Sequence, residues 1–230
     1  MARGIDHLVL AVRDLDAAAA HYAALGFLVG ARNRHPWGTE NHIVQFPGAF
    51  LELITLGEGI EVPPVRPGTF SFAATVRDAL ARDGDSFSML VFESADALAD
   101  KAEIDAAGFG GFETFFFERS GQRPDGSRVR VAFTLAFAAS EAMPRAGFFV
   151  CQQHEPQNFW NPAFQRHPNG AAKLGGIVML AQDARTALAR SRLRRARGNS
   201  SAVIRYVSAR PRGQPYPQSH TCDIEYDIDY

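Results

Sequence analysis

Apolar and polar residues alternate from Ile5 to Val12, with Ile5, His7, Val9 and Ala11 on one face and Leu8, Leu10 and Val12 on the other. Period two with β-branched residues predicts a strand. Asp14 then offers an N-cap, and Asp16 sits where the first helical turn would be. Leu15, Ala18, Ala19 and Tyr22 recur at helical spacing, and Gly26 follows as a C′ residue. The pattern predicts a helix over 14–25 whose alanines allow close packing on a sheet. A second strand is expected over Phe27 to Arg32, and a loop over Asn33 to Thr39, which holds Pro36 and Gly38. A third strand runs from Asn41 to Phe46, a tight turn falls at Pro47-Gly48, and a fourth strand runs from Ala49 to Leu56. In the fourth, Leu51 and Leu53 share one face while Phe50, Glu52 and Ile54 share the other. The order is βαβββ.

The same order recurs. Ser86 to Phe92 reads as a strand, and Ser94 would cap a helix running to Ala107 with Ala95, Leu98 and Ala102 on one face, ended by Gly108. Ala107-Gly108-Phe109 echoes Leu25-Gly26-Phe27. Phe112 to Glu118 reads as the next strand, and Pro124-Asp125-Gly126 as a turn. Val129, Val131, Phe133, Leu135 and Phe137 alternate with smaller or polar residues, and Phe148 to Gln153 completes the second unit. Gly57 to Pro67, with three prolines, reads as the linker. A third start follows, with a strand over Gly175 to Ala181 and a helix over Ala184 to Arg197. Ile224, Tyr226, Ile228 and Tyr230 alternate with acidic residues as in an edge strand. These readings give a first βαβββ module over residues 1–68, a second over 69–155, and an aromatic loop with a partial third module over 156–230. The expected class is α+β, with paired βαβββ modules forming an open, curved sheet around a cleft, plus the partial C-terminal module. One such unit leaves a sheet face bare; two side by side would cover a shared concavity suited to a ligand.

Composition narrows the class. The 230 residues are 46% hydrophobic and 21% charged with a net charge of −1, an ordinary globular mixture. Six arginines crowd between Arg185 and Arg197, but no basic surplus exists elsewhere, so a solvated helix face is favoured over a nucleic-acid partner. No apolar run approaches the roughly 18–20 residues of a membrane span, and the N-terminus lacks a signal-peptide pattern. Cys151 and Cys222 lie far apart and form no CxxC, which fits a reducing cytoplasm. There is no GxSxG elbow, GxxxxGK[ST] loop or HExxH motif. The expected partner is a small molecule, with a homodimer as a further expectation. Phe occurs 18 times against two Trp, which calls for an aromatic lining or core.

The opening IDHLVLAVRDLDAAAAHYAALGF, the strand FLELITLG and the repeated module resemble the vicinal oxygen chelate superfamily, the glyoxalase, bleomycin-resistance and extradiol dioxygenase group. The resemblance covers roughly residues 4–155, and FFVCQQHEPQNFWNPAFQRHPNGA is similar to its glyoxalase-like branch. It implies a divalent metal in the cleft, held by residues of the first and last strands of a module. Those positions match His7 and Glu52, whose imidazole and carboxylate suit Fe, Mn, Ni or Zn. The second module departs from the pattern, offering Ser88 or Met89 on its first strand, with His154 the one strong ligand near its last. A metal would act as Lewis acid on two neighbouring oxygens of a small substrate in a lyase, isomerase or dioxygenase reaction. Without a metal, Glu52 could be a general base. The alternative is a drug-sequestering binder of the bleomycin-resistance kind, with aromatic walls and no catalysis.

The remaining candidates have two readings. His7 is a metal ligand or a satisfied core histidine. Phe50, Gln152, Phe159, Trp160, His167 and Asn169 are candidate substrate contacts. For the segment around Phe159 and Trp160, a lid over the ligand competes with a cluster that stitches a long loop to the sheet. His35 and His42 border a loop and are expected at the surface, and Cys151 is expected as a small buried hydrophobe.

Overall fold

The computed structural model describes residues 4–122, 126–138, 147–181 and 203–208. Residues Ile5–Leu174 form one compact unit. Its elements are β1 (Ile5–Ala11), α1 (Leu15–Ala24), β2 (Asn33–Arg34), β3 (Thr39–Phe46), β4 (Ala49–Leu56), α2 (Phe72–Asp83), β5 (Ser86–Glu93), α3 (Ala97–Ala106), β6 (Phe115–Gln122), β7 (Arg128–Ala138), β8 (Gly147–Gln153) and the short α4 (Pro156–Phe159). The strands make one open, curved sheet in the order β2-β3-β4-β1-β5-β8-β7-β6. Each βαβββ unit contributes four neighbouring strands, and the units join where β1 pairs antiparallel with β5. Within each unit the first and last strands lie side by side and parallel, β1 with β4 and β5 with β8. The fold is therefore the α+β curved sheet that the periodicity implies.

Period two sorts the side chains between the two sheet faces. On the convex side Val12, Leu15 and Leu53 form a small cluster with Leu10, Ala18 and Tyr22, so α1 packs through the stripe its spacing predicts. Asp14 caps it by accepting the Ala17 N–H at 2.9 Å. Gly26 closes it at φ 82°, where a Cβ would stand 2.9 Å from the Cβ of Asn169. Glycine here answers both a left-handed backbone and a close approach by the later loop.

The structure differs from the sequence reading in four elements of this unit. Residues 27–32 form no strand: the Leu28 N–H goes to Nδ1 of His167, the Gly30 N–H bonds the Ile43 carbonyl of β3 at 2.8 Å, and the strand ladder with β3 begins at Asn33. Helix α3 starts two residues later than a Ser94 cap would place it. Asp96 accepts the Leu98 and Ala99 N–H groups, while the Ser94 hydroxyl donates to Asp100 at 2.6 Å. Its buried residues are Ala97 and Ile104, and Leu98 is 65% exposed. Strand β6 begins at Phe115 rather than Phe112.

The fourth difference is α2, to which the sequence reading assigns no element. Ser71 caps it and Gly84 ends it. Its Phe72, Val76 and Ala79 pack with Val9, Ala11, Met89, Val91 and Phe149 on the concave side. A helix therefore fills part of the concavity that two facing modules would otherwise leave open.

Strand β9 (Gly176–Ala181) pairs in parallel with β10 (Val203–Ser208) in a separate two-stranded sheet, within a second compact unit that includes residues 175–230. The first of these strands is expected from the sequence and the second is not. The expected helix over 184–197, the alternating stretch at 224–230 and most of the turn at 124–126 lie outside the described residues. Among the described residues, no helix is long and apolar enough to cross a membrane.

Leu15 is 3% exposed and centres the convex cluster. Leu15→Ala is expected to cost about 2–4 kcal/mol of folding stability in urea unfolding. A loss below about 1 kcal/mol would mean that α1 is not anchored through this stripe.

Candidate functional site

The parallel register of β1 and β4 sets His7 opposite Phe50 and Val9 opposite Glu52. Both functional side chains are on the concave face. His7 is 6% exposed and stacks on Phe50, with ring centroids 4.2 Å apart and planes 13° apart. Its Nε2 lies 3.8 Å from Oε2 of Glu52. Its Nδ1 meets Oδ1 of Asp6 at 2.5 Å. Asp6 reaches that position through a β-bulge: Ile5 pairs with Phe92 and His7 with Val91, which leaves Asp6 as the extra residue. The second Asp6 oxygen accepts the Gln153 Nε2–H at 2.7 Å. Asp6 thus orients the imidazole from behind and directs Nε2 toward the cavity.

Glu52 is held by Asn41, whose amide donates to Oε1. Asn41 in turn accepts from Asn33 Nδ2 at 3.0 Å, and Asn33 Oδ1 accepts from Arg119 Nη1 at 3.1 Å. This chain joins the two edges of the sheet, because Asn33 is on β2 and Arg119 on β6. The curvature brings those edges within hydrogen-bond reach of one another. Trp37, in the loop after β2, packs edge-on against Phe115 and Phe117 of β6 at 5.2 and 5.0 Å. A cavity results, with His7, Glu52, Asn41, His35 and Arg119 as its polar groups. Its walls are aromatic, formed by Trp37, Phe50, Phe72, Phe117, Phe133, Phe149 and Phe159.

The candidate residues separate into those the fold gathers and those it does not. His7, Glu52, Phe50 and Phe159 line the cavity, and Trp160 packs behind them against Phe50 and Phe159. His154 does not join them. It lies one residue past the inward-facing Gln153, so period two turns it outward, where it is exposed and bonds the Thr134 hydroxyl at 2.7 Å. Gln152 also faces away: its side chain accepts the Ala97 N–H and donates to the Ala95 carbonyl, tying α3 to β8. His167 is buried and satisfied on both nitrogens, accepting the Leu28 N–H and donating to the Gln45 carbonyl. Asn169 donates to the Leu25 carbonyl. These last two stitch the loop to the sheet, while Phe159 from the same loop reaches the ligand space.

Several residues of the site escape the sequence reading, among them Asn41. Asp6 is visible only through the bulge. Arg119 has a signal, since it falls in period-two phase with the inward Phe115 and Phe117. Trp37 sits in a Pro- and Gly-containing loop that carries no periodicity. His35, expected at the surface, is drawn into the cavity wall, stacked on Trp37 at 4.5 Å and bonded to the Thr39 hydroxyl at 2.8 Å. Cys151 is buried as expected, and burial, assisted by the Asp6 and Glu52 carboxylates, pushes its thiol well above the ordinary cysteine range.

The donor set bears on the metal. His7 Nε2 and Glu52 Oε2 are close enough to share a cation with bonds of about 2.0–2.2 Å. The second module adds nothing to them. Asp14 and Asp96 cap the helices at the same distance along the chain after His7 and Met89, so these two correspond. Met89 pairs with Gly147 and Val91 with Phe149, as His7 pairs with Phe50 and Val9 with Glu52. The positions equivalent to His7 and Glu52 are therefore Met89 and Phe149, both buried in the apolar core. Among the described residues no three His, Cys, Asp or Glu side chains gather as a metal site requires. The described residues supply half of a paired ligand set and do not fit a tightly held cation.

His35 carries a pH dependence. Burial lowers its pKa below 6.5; the Glu52 carboxylate partly opposes the shift, and Arg119 adds to it. Below about pH 6.5 the unfolded chain then binds more protons at this residue than the folded one. The contribution is complete above that pH and is lost as pH falls. Thermal melts at pH 7.5 and 5.0 should show a larger loss of Tm for the native chain than for His35→Gln. Equal losses would place the titration elsewhere.

A family profile described as a glyoxalase-like domain matches residues 5–195. No curated protein matches the chain. Among solved structures, a hypothetical protein from Staphylococcus aureus is similar with a TM-score of 0.61 at 13% identity, over 81% of this chain and 73% of that one. Methylmalonyl-CoA epimerase from Mycobacterium tuberculosis gives a TM-score of 0.45 at 17% identity, over 65% and 87%. A mutant 4-hydroxymandelate synthase from Streptomyces coelicolor gives 0.37 at 13%, over 83% and 76%. At these identities the first likeness is one of fold, in agreement with the paired units of the sheet. The chain belongs to the glyoxalase-like domain family.

Proposed function

We propose that this protein is an enzyme that moves a proton on a small oxygenated organic molecule held in the aromatic cavity. The observation that carries the reading is the Asp6–His7–Glu52 arrangement, with His7 Nε2 and Glu52 Oε2 3.8 Å apart on the cavity wall. Glu52 takes the proton from a carbon beside a carbonyl, where the charge that forms is shared with oxygen. Asn41 fixes one carboxylate oxygen and leaves the other toward the ligand space. Asp6 holds the far side of the His7 ring, so Nε2 is placed to accept or return a proton beside Glu52. The apolar walls limit water and strengthen each of these interactions. Metal-assisted chelation, which the superfamily resemblance implies, would need donors beyond His7 and Glu52, so no step is assigned to a cation.

A binding role without turnover is the second reading. Its support is the dense aromatic lining, with Trp37, Phe50, Phe117, Phe133 and Phe159 around a small polar end.

Two measurements separate these readings and test the donor argument. Proton NMR in D2O with a panel of small aldehydes, ketones and 2-oxo acids should show deuterium entering at the carbon beside the carbonyl of at least one compound. Glu52→Gln should slow that exchange by about 10²–10⁴-fold with the thermal melt retained. Tight binding of panel members without exchange would favour the binder instead. Elemental analysis of protein purified without chelator should find divalent metal well below one equivalent, unchanged in Glu52→Gln. One equivalent that is lost in the variant would restore a metal mechanism.

A further inference from the structure

Arg119 and Trp37 both line the aromatic cavity, and each carries a hydrogen-bond donor with no partner among the described residues. The Trp37 indole N–H is buried and has no acceptor among the described residues. Arg119 projects from β6 beside Phe117, and its one acceptor among the described residues is the neutral Asn33 amide oxygen at 3.1 Å. No described carboxylate lies within ion-pair distance of it; Glu52 attracts it only from farther off. A guanidinium has five donors in a planar fork that matches a carboxylate, and an unpaired one is costly to bury. An indole N–H likewise finds a partner when it is buried. Both groups need an acceptor, and neither supplies one. The surfaces around them are flat and apolar: Trp37 has His35 stacked against it, and Phe117 stacks on Phe133 at 4.9 Å.

We infer that the cavity selects a carboxylate carried on an aromatic or similarly flat apolar body, with Arg119 and the Trp37 N–H binding the carboxylate. This deepens the proposed function by naming its substrate class, and it rests on that reading only for the identity of the cavity. The chemistry follows from charge and geometry. Asn33 fixes one guanidinium nitrogen and leaves the remaining N–H groups for the ligand. The apolar body lies among the Phe rings. The negative Glu52 repels a second anionic group at its own end, so the carboxylate sits at the Arg119 end and the reacting carbon near His7 and Glu52.

The test compares 3-phenylpropionate with its neutral amide, 3-phenylpropanamide, by titration calorimetry on the full chain. The carboxylate should bind at least about tenfold more tightly, as a charge-assisted hydrogen bond permits. Arg119→Gln should bring the ratio to about one while the amide binds as before, which shows an intact cavity. Arg119→Lys should recover part of the preference, and Trp37→Phe should lower it about threefold. Glu52→Gln should retain or strengthen the preference, since it removes only a repulsion of the carboxylate, even where it slows proton exchange, so the two proposals fail separately. Equal binding of the two probes by the native chain would overturn the inference. So would a preference that survives Arg119→Gln, or no binding of either probe at millimolar concentration.

Discussion

The parallel pairing of β1 with β4 is the constraint on which the site depends. A strand's period of two gives each residue a face, and the register between strands decides which residues of that face meet. With His7 opposite Phe50 and Val9 opposite Glu52, the imidazole and the carboxylate come within 3.8 Å across neighbouring strands. A slip of one residue would send Glu52 to the convex side and bring Leu51 or Leu53 into the cavity. The leucines resist that slip, because Leu53 is already committed to the cluster beneath α1. The convex apolar cluster therefore holds the polar pair on the concave face in place.

Burying polar groups is costly unless each finds a partner, and the site meets this condition with a connected chain. Asp6 receives hydrogen bonds from His7 and Gln153. Glu52 is reached from Arg119 through Asn33 and Asn41. The same chain bridges β2 and β6, the two edges of the sheet. The network that positions the carboxylate thus also links the curved sheet across its opening. The exceptions in this network, among the described residues, are the Trp37 N–H and Gln153 Oε1, both buried without a partner, and the sparsely bonded Arg119; Trp37 and Arg119 line the same cavity.

The two modules share a backbone plan and differ in chemistry. The first keeps His7 and Glu52, whereas the second has Met89 and Phe149 at the corresponding positions. Helix α2 covers Met89 and joins Phe149 in the main core. Space that a symmetric pair would leave for ligand is filled with Phe72, Val76 and Ala79. The ligand space is thereby shifted toward the first module and the edge junction, where the aromatic rings of β6 and β7 and of the loop from α4 complete it.

The sequence by itself determined what local periodicity can encode. The two βαβββ units, the Asp14 cap and Gly26 end of α1, the convex leucines, and the shared face of His7 and Glu52 all follow from spacing within single elements. The signal for α2 is also local, in Ser71, Phe72, Val76 and Gly84, although the stretch between the linker at 57–67 and the strand from Ser86 is assigned no element. Only the tertiary structure decided which distant residues meet. The bulge that turns Asp6 behind His7 depends on the β1–β5 register. The outward turn of His154 depends on where β8 ends its inward alternation, and the structural use of His167 on where the later loop docks. Arg119 meets Asn33 only because the sheet curves enough for its edges to approach. Twist, register and loop docking are collective properties of the packed sheet, and no window of a few residues carries them.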